Sequence, residues 1–372
     1  MRLRGAPLAL LLAAAVLAAC SSTDKPKPKP LPAIEKPIAG RQVWSARLDS
    51  VRFPLGVSTA GGVFTVASTD GTVLALQPET GREVWRGSAG ERLAAGVGSD
   101  GRWAAVVTRD NELVVLEAGK KAWHKALGTR VVTAPLVAGE RVFVLAGDRS
   151  VHAFDVRDGR RLWSVQRPGD PLTLARPGLL MPFKDTLLVG QGPRLAGLDP
   201  LRGTLRWEVP MASPRGTNEV ERLAELVSPA ARIGDLVCAR AFQSAVACAN
   251  AERGNLAWSK NVGGIEGVAG DDQLIVAADA SDRLSAWRTA SGEVAWNSEV
   301  LMHRELGSPL MAGDTVVFGD AAGTLHWLSR DSGAPLLRLA TDGSGLAAAP
   351  VAIGTTLLAV TKSGGVYAFR PN

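Results

Sequence analysis

The stretch ETGREVW, residues 79–85, returns five more times along the chain. It reappears as EAGKKAW (117–123), RDGRRLW (157–163), LRGTLRW (201–207), ERGNLAW (252–258) and ASGEVAW (290–296), always with glycine four residues before tryptophan. An isolated tryptophan in RQVW (41–44) and a degenerate copy, DSGAPLL (331–337), with Leu337 in the tryptophan place, extend the series to eight. From Trp44 onward the successive spacings are 41, 38, 40, 44, 51, 38 and 41 residues, which is the range of β-propeller blades.

Within a unit the pattern is that of strands. VFTVA, a turn and TVLAL precede Trp85, and VFVLA, a turn and SVHAF precede Trp163. Period-two apolar alternation, β-branched residues and Gly or Asp turns favour strand over helix. Each unit therefore reads as four strands: a leading inner strand, a central hairpin and an outer strand carrying the tryptophan. The repeated glycine supplies the positive φ needed to turn into that last strand. Trp44, Trp85, Trp123, Trp163, Trp207, Trp258 and Trp296 are read as fillers of the gap between neighbouring blades, not as ligand contacts.

The expected fold is all-β, an eight-bladed propeller of four-stranded antiparallel blades. The outer strand around Trp44 has no inner strands before it, while APVAIGTTLLAVTKSGGVYAF (349–369) has inner strands and no outer one. Joining the two completes the eighth blade and closes the ring, which leaves no open end to the array.

Upstream of the repeats, residues 1–19 read as a lipoprotein signal peptide. Arg2 and Arg4 precede the apolar run Leu8 to Val16, too short to span a bilayer, and Leu17-Ala18-Ala19-Cys20 follows. The last four residues resemble a bacterial lipobox, which implies a lipidated Cys20. Ser21 follows where aspartate would be the usual inner-membrane retention signal, so the expected address is the periplasmic face of a Gram-negative outer membrane, held by the lipid. Residues 20–40 form the lipidated cysteine and a Lys/Pro-rich linker, expected to be extended polyproline II, and 41–372 form the propeller. The net charge of +6 includes the two signal arginines, and no basic cluster is interleaved with aromatics, so nucleic acid is not an expected partner.

No catalytic signature is found. His124, His152, His303 and His326 fall in different units without metal-ligand spacing, so neither a metal nor a catalytic residue is expected. The repeats resemble the PQQ-type tryptophan-docking repeats of quinoprotein alcohol dehydrogenases. Those enzymes are longer and carry a vicinal cysteine pair, whereas Cys238 and Cys248 here stand ten residues apart. The resemblance supports the fold and not the chemistry, and no cofactor is expected. The two cysteines lie in the hairpin LVCARAFQSAVAC (236–248). A three-residue turn centred on Gln243 would set them opposite each other, and a two-residue turn would send them to opposite faces. Both registers, and hence a disulfide or two buried thiols, are open at this point.

If the repeats are interchangeable, recognition belongs where they differ. The departures are RPGDPLTLARPGLLMP (167–182) after Trp163 and the enlarged segment RGTNEVERLAELVSP (215–229) after Trp207. Both connect an outer strand to the next inner strand, so they should emerge on one face, side by side. Leu172 and Leu174 are candidate apolar contacts, with Leu174 competing for a place in the inner strand, and Arg176 is expected to be exposed. Val220, Leu223 and Val227 have helical spacing beside the charged Glu219, Glu221, Arg222 and Glu225, which suggests a short helical turn.

GTNEVERLAELVSP, with MHRELGSP (302–309) and GDAAGTLHWL (319–328), resembles the BamB family, the propeller lipoprotein subunit of the outer-membrane β-barrel assembly machinery, over essentially the whole chain. The resemblance implies a non-enzymatic scaffold that binds the periplasmic POTRA domains of BamA and assists insertion of outer-membrane proteins. It places Leu172, Leu174 and Arg176 in a contact loop and Glu225 in an acidic contact after the ERL motif, with Ala175 and the single acidic residue as departures. A rival expectation is direct binding of nascent outer-membrane proteins, whose unfolded strands would pair with exposed blade edges.

Overall fold

The computed structural model describes residues 26–167, 172–214, 217–220 and 222–371. Cys20 lies outside the described residues. Those residues form eight antiparallel sheets arranged as the blades of a propeller. In chain order the blades are 1 (64–88), 2 (93–126), 3 (136–166), 4 (180–210), 5 (226–260), 6 (269–298), 7 (310–340) and 8 (351–371 with 40–47). Central strands are mostly buried, and Phe64–Ala67 and Leu274–Ala278 are buried at every position, because each blade is covered on both faces by its neighbours. The outer strand Glu83–Ser88 alternates between half-buried and exposed instead.

Ring closure follows the expected pairing. Gly40–Arg47 runs antiparallel to Gly365–Pro371, with Trp44 opposite Ala368. Blade 1 departs from the four-strand expectation and has three strands. Its innermost place is held by Ser58 alone, which exchanges two backbone hydrogen bonds with Thr65, at 3.1 and 2.9 Å. The residues just before it bond sideways: the Gly56 amide donates to the Gly96 carbonyl (2.6 Å), and the Val97 amide donates back to Gly56 (2.9 Å). Backbone groups committed to blade 2 cannot also extend a ladder in blade 1.

The repeated glycine and the repeated tryptophan meet across the blades, not within them. The ring of Trp44 lies on Gly81, Trp85 on Gly119, Trp123 on Gly159, Trp163 on Gly203, Trp207 on Gly254, Trp258 on Gly292 and Trp296 on Gly333. The indole N–H groups of Trp44, Trp123, Trp163, Trp258 and Trp296 each donate to a carbonyl of the next blade, at 2.7–3.0 Å. Glycine is needed twice over at these positions. At Gly159 the φ of 70° strains any L side chain, and a methyl group would sit 2.6 Å from the Trp123 ring. The eighth joint is Leu337 on Gly40, whose Cβ position lies 2.6 Å from a leucine methyl.

Between blades 5 and 6 the core includes Cys238, Cys248, Trp258, Ile275 and Trp287. The hairpin turns around Gln243, at φ 50°, and Cys238 stands directly opposite Cys248. The two are joined as a disulfide.

Gly128 gives a control for the joints, because it has φ 75° but open space where a side chain would go. Gly159→Ala is expected to lose roughly 2–4 kcal/mol of unfolding free energy from strain and overpacking together, and Gly128→Ala only about 1 kcal/mol from strain alone. Equal losses in denaturant titrations would show that the tryptophan contact does not matter.

Candidate docking surface

The connection after blade 3 and the connection after blade 4 lie on the same face and are locked together by Glu225. One carboxylate oxygen, Oε2, accepts from the Leu174 amide at 2.8 Å, and Oε1 accepts from Arg149 Nη2 at 3.3 Å. Arg149 Nη2 also reaches the Leu172 carbonyl at 3.3 Å, and Thr173 Oγ1 donates to the Gly147 carbonyl at 3.0 Å. The Arg149 and Glu225 side chains are only 16% and 17% exposed, so the pair is screened less than an ordinary surface ion pair. Glu225 is itself held, since its carbonyl accepts from the Phe242 amide of the blade 5 hairpin at 2.9 Å.

This geometry revises the reading of several residues. Leu174 does not begin the inner strand, which starts at Leu180; it is half-buried in the loop while Leu172 is 37% exposed. Arg176 is not a free surface cation. Its Nη1 donates to Glu266 Oε1 at 3.0 Å and to the Ile265 carbonyl at 3.2 Å. Glu225 is committed to the chain's own Arg149 and Leu174 and is not an open acidic contact. Among the described residues of the enlarged segment no helix forms: the Arg222 amide bonds the Asn218 carbonyl and the Leu223 amide bonds the Val220 carbonyl, a turn only. Val227 already belongs to the strand Leu226–Ile233 and is buried. Glu219, Val220 and Arg222 are exposed, Val220 at 71%, and Glu221 lies outside the described residues.

The surface continues past Arg176. Glu266 Oε2 accepts from Ser308 Oγ at 2.9 Å, which carries the network to the connection before blade 7. Beneath it, the guanidinium of Arg240 is fully buried. It donates to the carbonyls of Glu266 (2.7 Å), Val262 (2.9 Å), Gly263 (3.1 Å) and Ala278 (2.6 Å). Burial pushes its pKa down to about 10, against the pull of Asp279 and Glu266. Four carbonyls offset the desolvation of the charge and hold the 262–266 loop that positions Glu266.

Arg149, Arg240, Glu266 and Ser308 are absent from the sequence reading. Arg149 carries a legible signal, however. It stands at φ 65° in a hairpin turn where the corresponding residues of blades 1, 2, 7 and 8 are Gly71, Asn111, Gly323 and Gly364. An arginine in that left-handed slot costs about 1 kcal/mol, which marks its side chain as needed. Among the described residues no group of three or more His, Cys, Asp or Glu is placed to hold a metal ion.

The sequence pattern of the family described as "Outer membrane protein assembly factor BamB" matches residues 33–95 and 69–298. A protein of that name from Burkholderia pseudomallei is 36% identical over 372 residues, covering 98% of each chain. The chain belongs to the BamB family. A Bordetella pertussis BamB is 31% identical, covering 95% of this chain and 92% of its own. The crystal structure of BamB from Moraxella catarrhalis superposes with a TM-score of 0.81 at 21% identity, over 89% of this chain and 100% of that one. A quinohemoprotein alcohol dehydrogenase from Comamonas testosteroni shares the fold at a TM-score of 0.68 and 16% identity, over 89% of this chain and 76% of its own. Within this BamB-family ring, the Glu225 clasp is what makes two separate connections one surface.

Glu225→Ala leaves the Leu174 amide without an acceptor and Arg149 without its ion pair. Amide exchange at Leu174 is expected to rise about tenfold or more, equivalent to roughly 1–3 kcal/mol of local stability, with the blade amides unchanged. Unaltered exchange at Leu174 would remove the clasp from the account.

Proposed function

We propose that the chain is a non-enzymatic scaffold lipoprotein of the β-barrel assembly machinery. It binds the POTRA domains of BamA through the surface built by residues 172–176 and 217–225. Its place is the periplasmic face of the outer membrane, held there by a lipid on Cys20. The observation that carries this reading is the clasp: Glu225 joins the two connections that depart from the repeat, and the surface so formed exposes Leu172 and Val220. Relatives spanning nearly the whole chain are named outer membrane protein assembly factors, and a role in outer-membrane protein assembly is carried over from them.

The physical logic is that of a small hot spot. Apolar Leu172 and Val220 supply contact area, while the ion pairs beneath them keep the loops in place before the partner arrives, which lowers the ordering cost of binding. Exposed Glu219 and Arg222 form a charged rim that sets register. In this arrangement Glu225 and Glu266 act by positioning, through Leu174 and Arg176. The second reading, strand addition of unfolded precursors to outer blade strands, has support of its own in the exposed Leu205 and Leu256 on two neighbouring outer strands.

Leu172→Ala/Leu174→Ala/Arg176→Ala is expected to weaken capture of BamA by tenfold or more while the melting temperature stays within a few degrees of the parent. Undiminished capture would take the loop out of the interface.

A further inference from the structure

The linker before the ring is expected from sequence to be an extended tether, yet its described part is docked. The Lys29 amide donates to the Met302 carbonyl at 3.0 Å, and the Ile38 amide donates to the Leu336 carbonyl at 3.0 Å. Between these two points the segment is rich in proline, which has no amide to donate. Two of its carbonyls accept hydrogen bonds from the ring, and two arginines supply the donors. Arg304 Nη2 reaches the Lys29 carbonyl and Arg338 Nη2 reaches the Pro32 carbonyl, both at 2.8 Å. Residues three apart lie on the same side of a polyproline II helix, so both carbonyls face the ring together. Leu31 packs into the core between blades 6 and 7, and Ile38 into the core between blades 7 and 8.

The arginine that grips Lys29 is itself fixed. Arg304 Nη1 lies 3.5 Å from Asp320 Oδ2, which His326 Nε2 also contacts at 2.9 Å. Asp320 and His326 are both buried. Burial alone would raise the Asp320 carboxyl, but the bonds from His326 and the Thr324 amide and the charge of Arg304 hold it below its ordinary value.

We infer that the flank of blade 7 is a built polyproline-binding groove whose resident ligand is the chain's own KPLP segment, and that it fixes the face from which the tether leaves the ring. The direction follows from the contacts. Met302 and Arg304 lie in the connection before blade 7, on the same face as residues 172–176 and 217–225. Leu336 lies in the outer strand Pro335–Ala340 just after the Gly333 turn, on the opposite face. The chain thus crosses the rim from the docking face downward before entering Gly40–Arg47, and Lys29, its first anchored residue, sits on the docking side. Lys29 stands nine positions after Cys20, at most about 30 Å of extended chain. With the lipid on Cys20, which rests on the proposed function, the docking face is turned towards the anchored end.

The test measures distances by double electron–electron resonance in the mature chain, with one spin label at Lys27→Cys and the other on blade 7. Ala321→Cys reports from the docking face and Asp314→Cys from the opposite face. A docked strap gives narrow distributions, with the Ala321 distance the shorter. Arg304→Ala/Arg338→Ala should broaden both distributions at least twofold. Leu31→Ser/Pro32→Gly, which alters no blade residue, should do the same if the arginine variant does not fold. Broad distributions in the parent, a shorter distance to Asp314, or distributions left narrow by the Leu31→Ser/Pro32→Gly change would overturn the inference. None of these readings involves BamA, so loss of the proposed partner and loss of the strap are separable.

Discussion

Everything in the ring depends on a tryptophan of one blade lying on a glycine of the next. A four-stranded blade cannot bury its own two faces, and it gains stability only by stacking. The joint makes that stacking specific: a side chain on the glycine would collide with the ring, and a different turn conformation would move the glycine away. Because each tryptophan engages the following blade, the register of all eight blades is transmitted around the circle. It returns at Leu337 on Gly40, beside the strand that the N-terminal segment contributes to the last blade.

The same joint explains why the fold was so legible. G-x-x-x-W states both halves of a contact in one short phrase, although the glycine and tryptophan that share a phrase belong to two different joints. Departures from the pattern were legible only in part. The missing inner strand of blade 1 follows from Gly56 bonding to Gly96, forty residues on, and no local pattern encodes a lateral backbone bond. Val220, Leu223 and Val227 kept helical spacing by coincidence, since Val227 serves a strand. The adjacency of the two enlarged connections was predictable from topology. What locks them was not, because the Glu225 contact that joins the two connections is to the Leu174 backbone amide, and amides leave no trace in a sequence. Arg149 was the exception that could have been found, as an arginine in a turn position that blades 1, 2, 7 and 8 give to glycine or asparagine.

The repeat's uniformity is broken most on one face. There the repeat's turns and connections are replaced by charged side chains that bind each other: Arg149 with Glu225, Arg176 with Glu266, and Arg240 with the carbonyls beneath. Ion pairs so arranged contribute little to global stability. Their effect is to hold loops that have no strand ladder of their own, so that a few apolar groups stand ready. The docked linker adds a direction to that face. The rigid joints below give that face a fixed outline.

The most direct measurement is photocrosslinking in cells from two positions: Leu172 on the docking face and Leu205 on the outer strand of blade 4, each replaced by a photoreactive amino acid. The account predicts that Leu172 captures the POTRA region of BamA and that Leu205 does not capture precursor. Capture of unfolded barrel precursor from Leu205, with none of BamA from Leu172, would contradict it and favour strand addition at the blade edges.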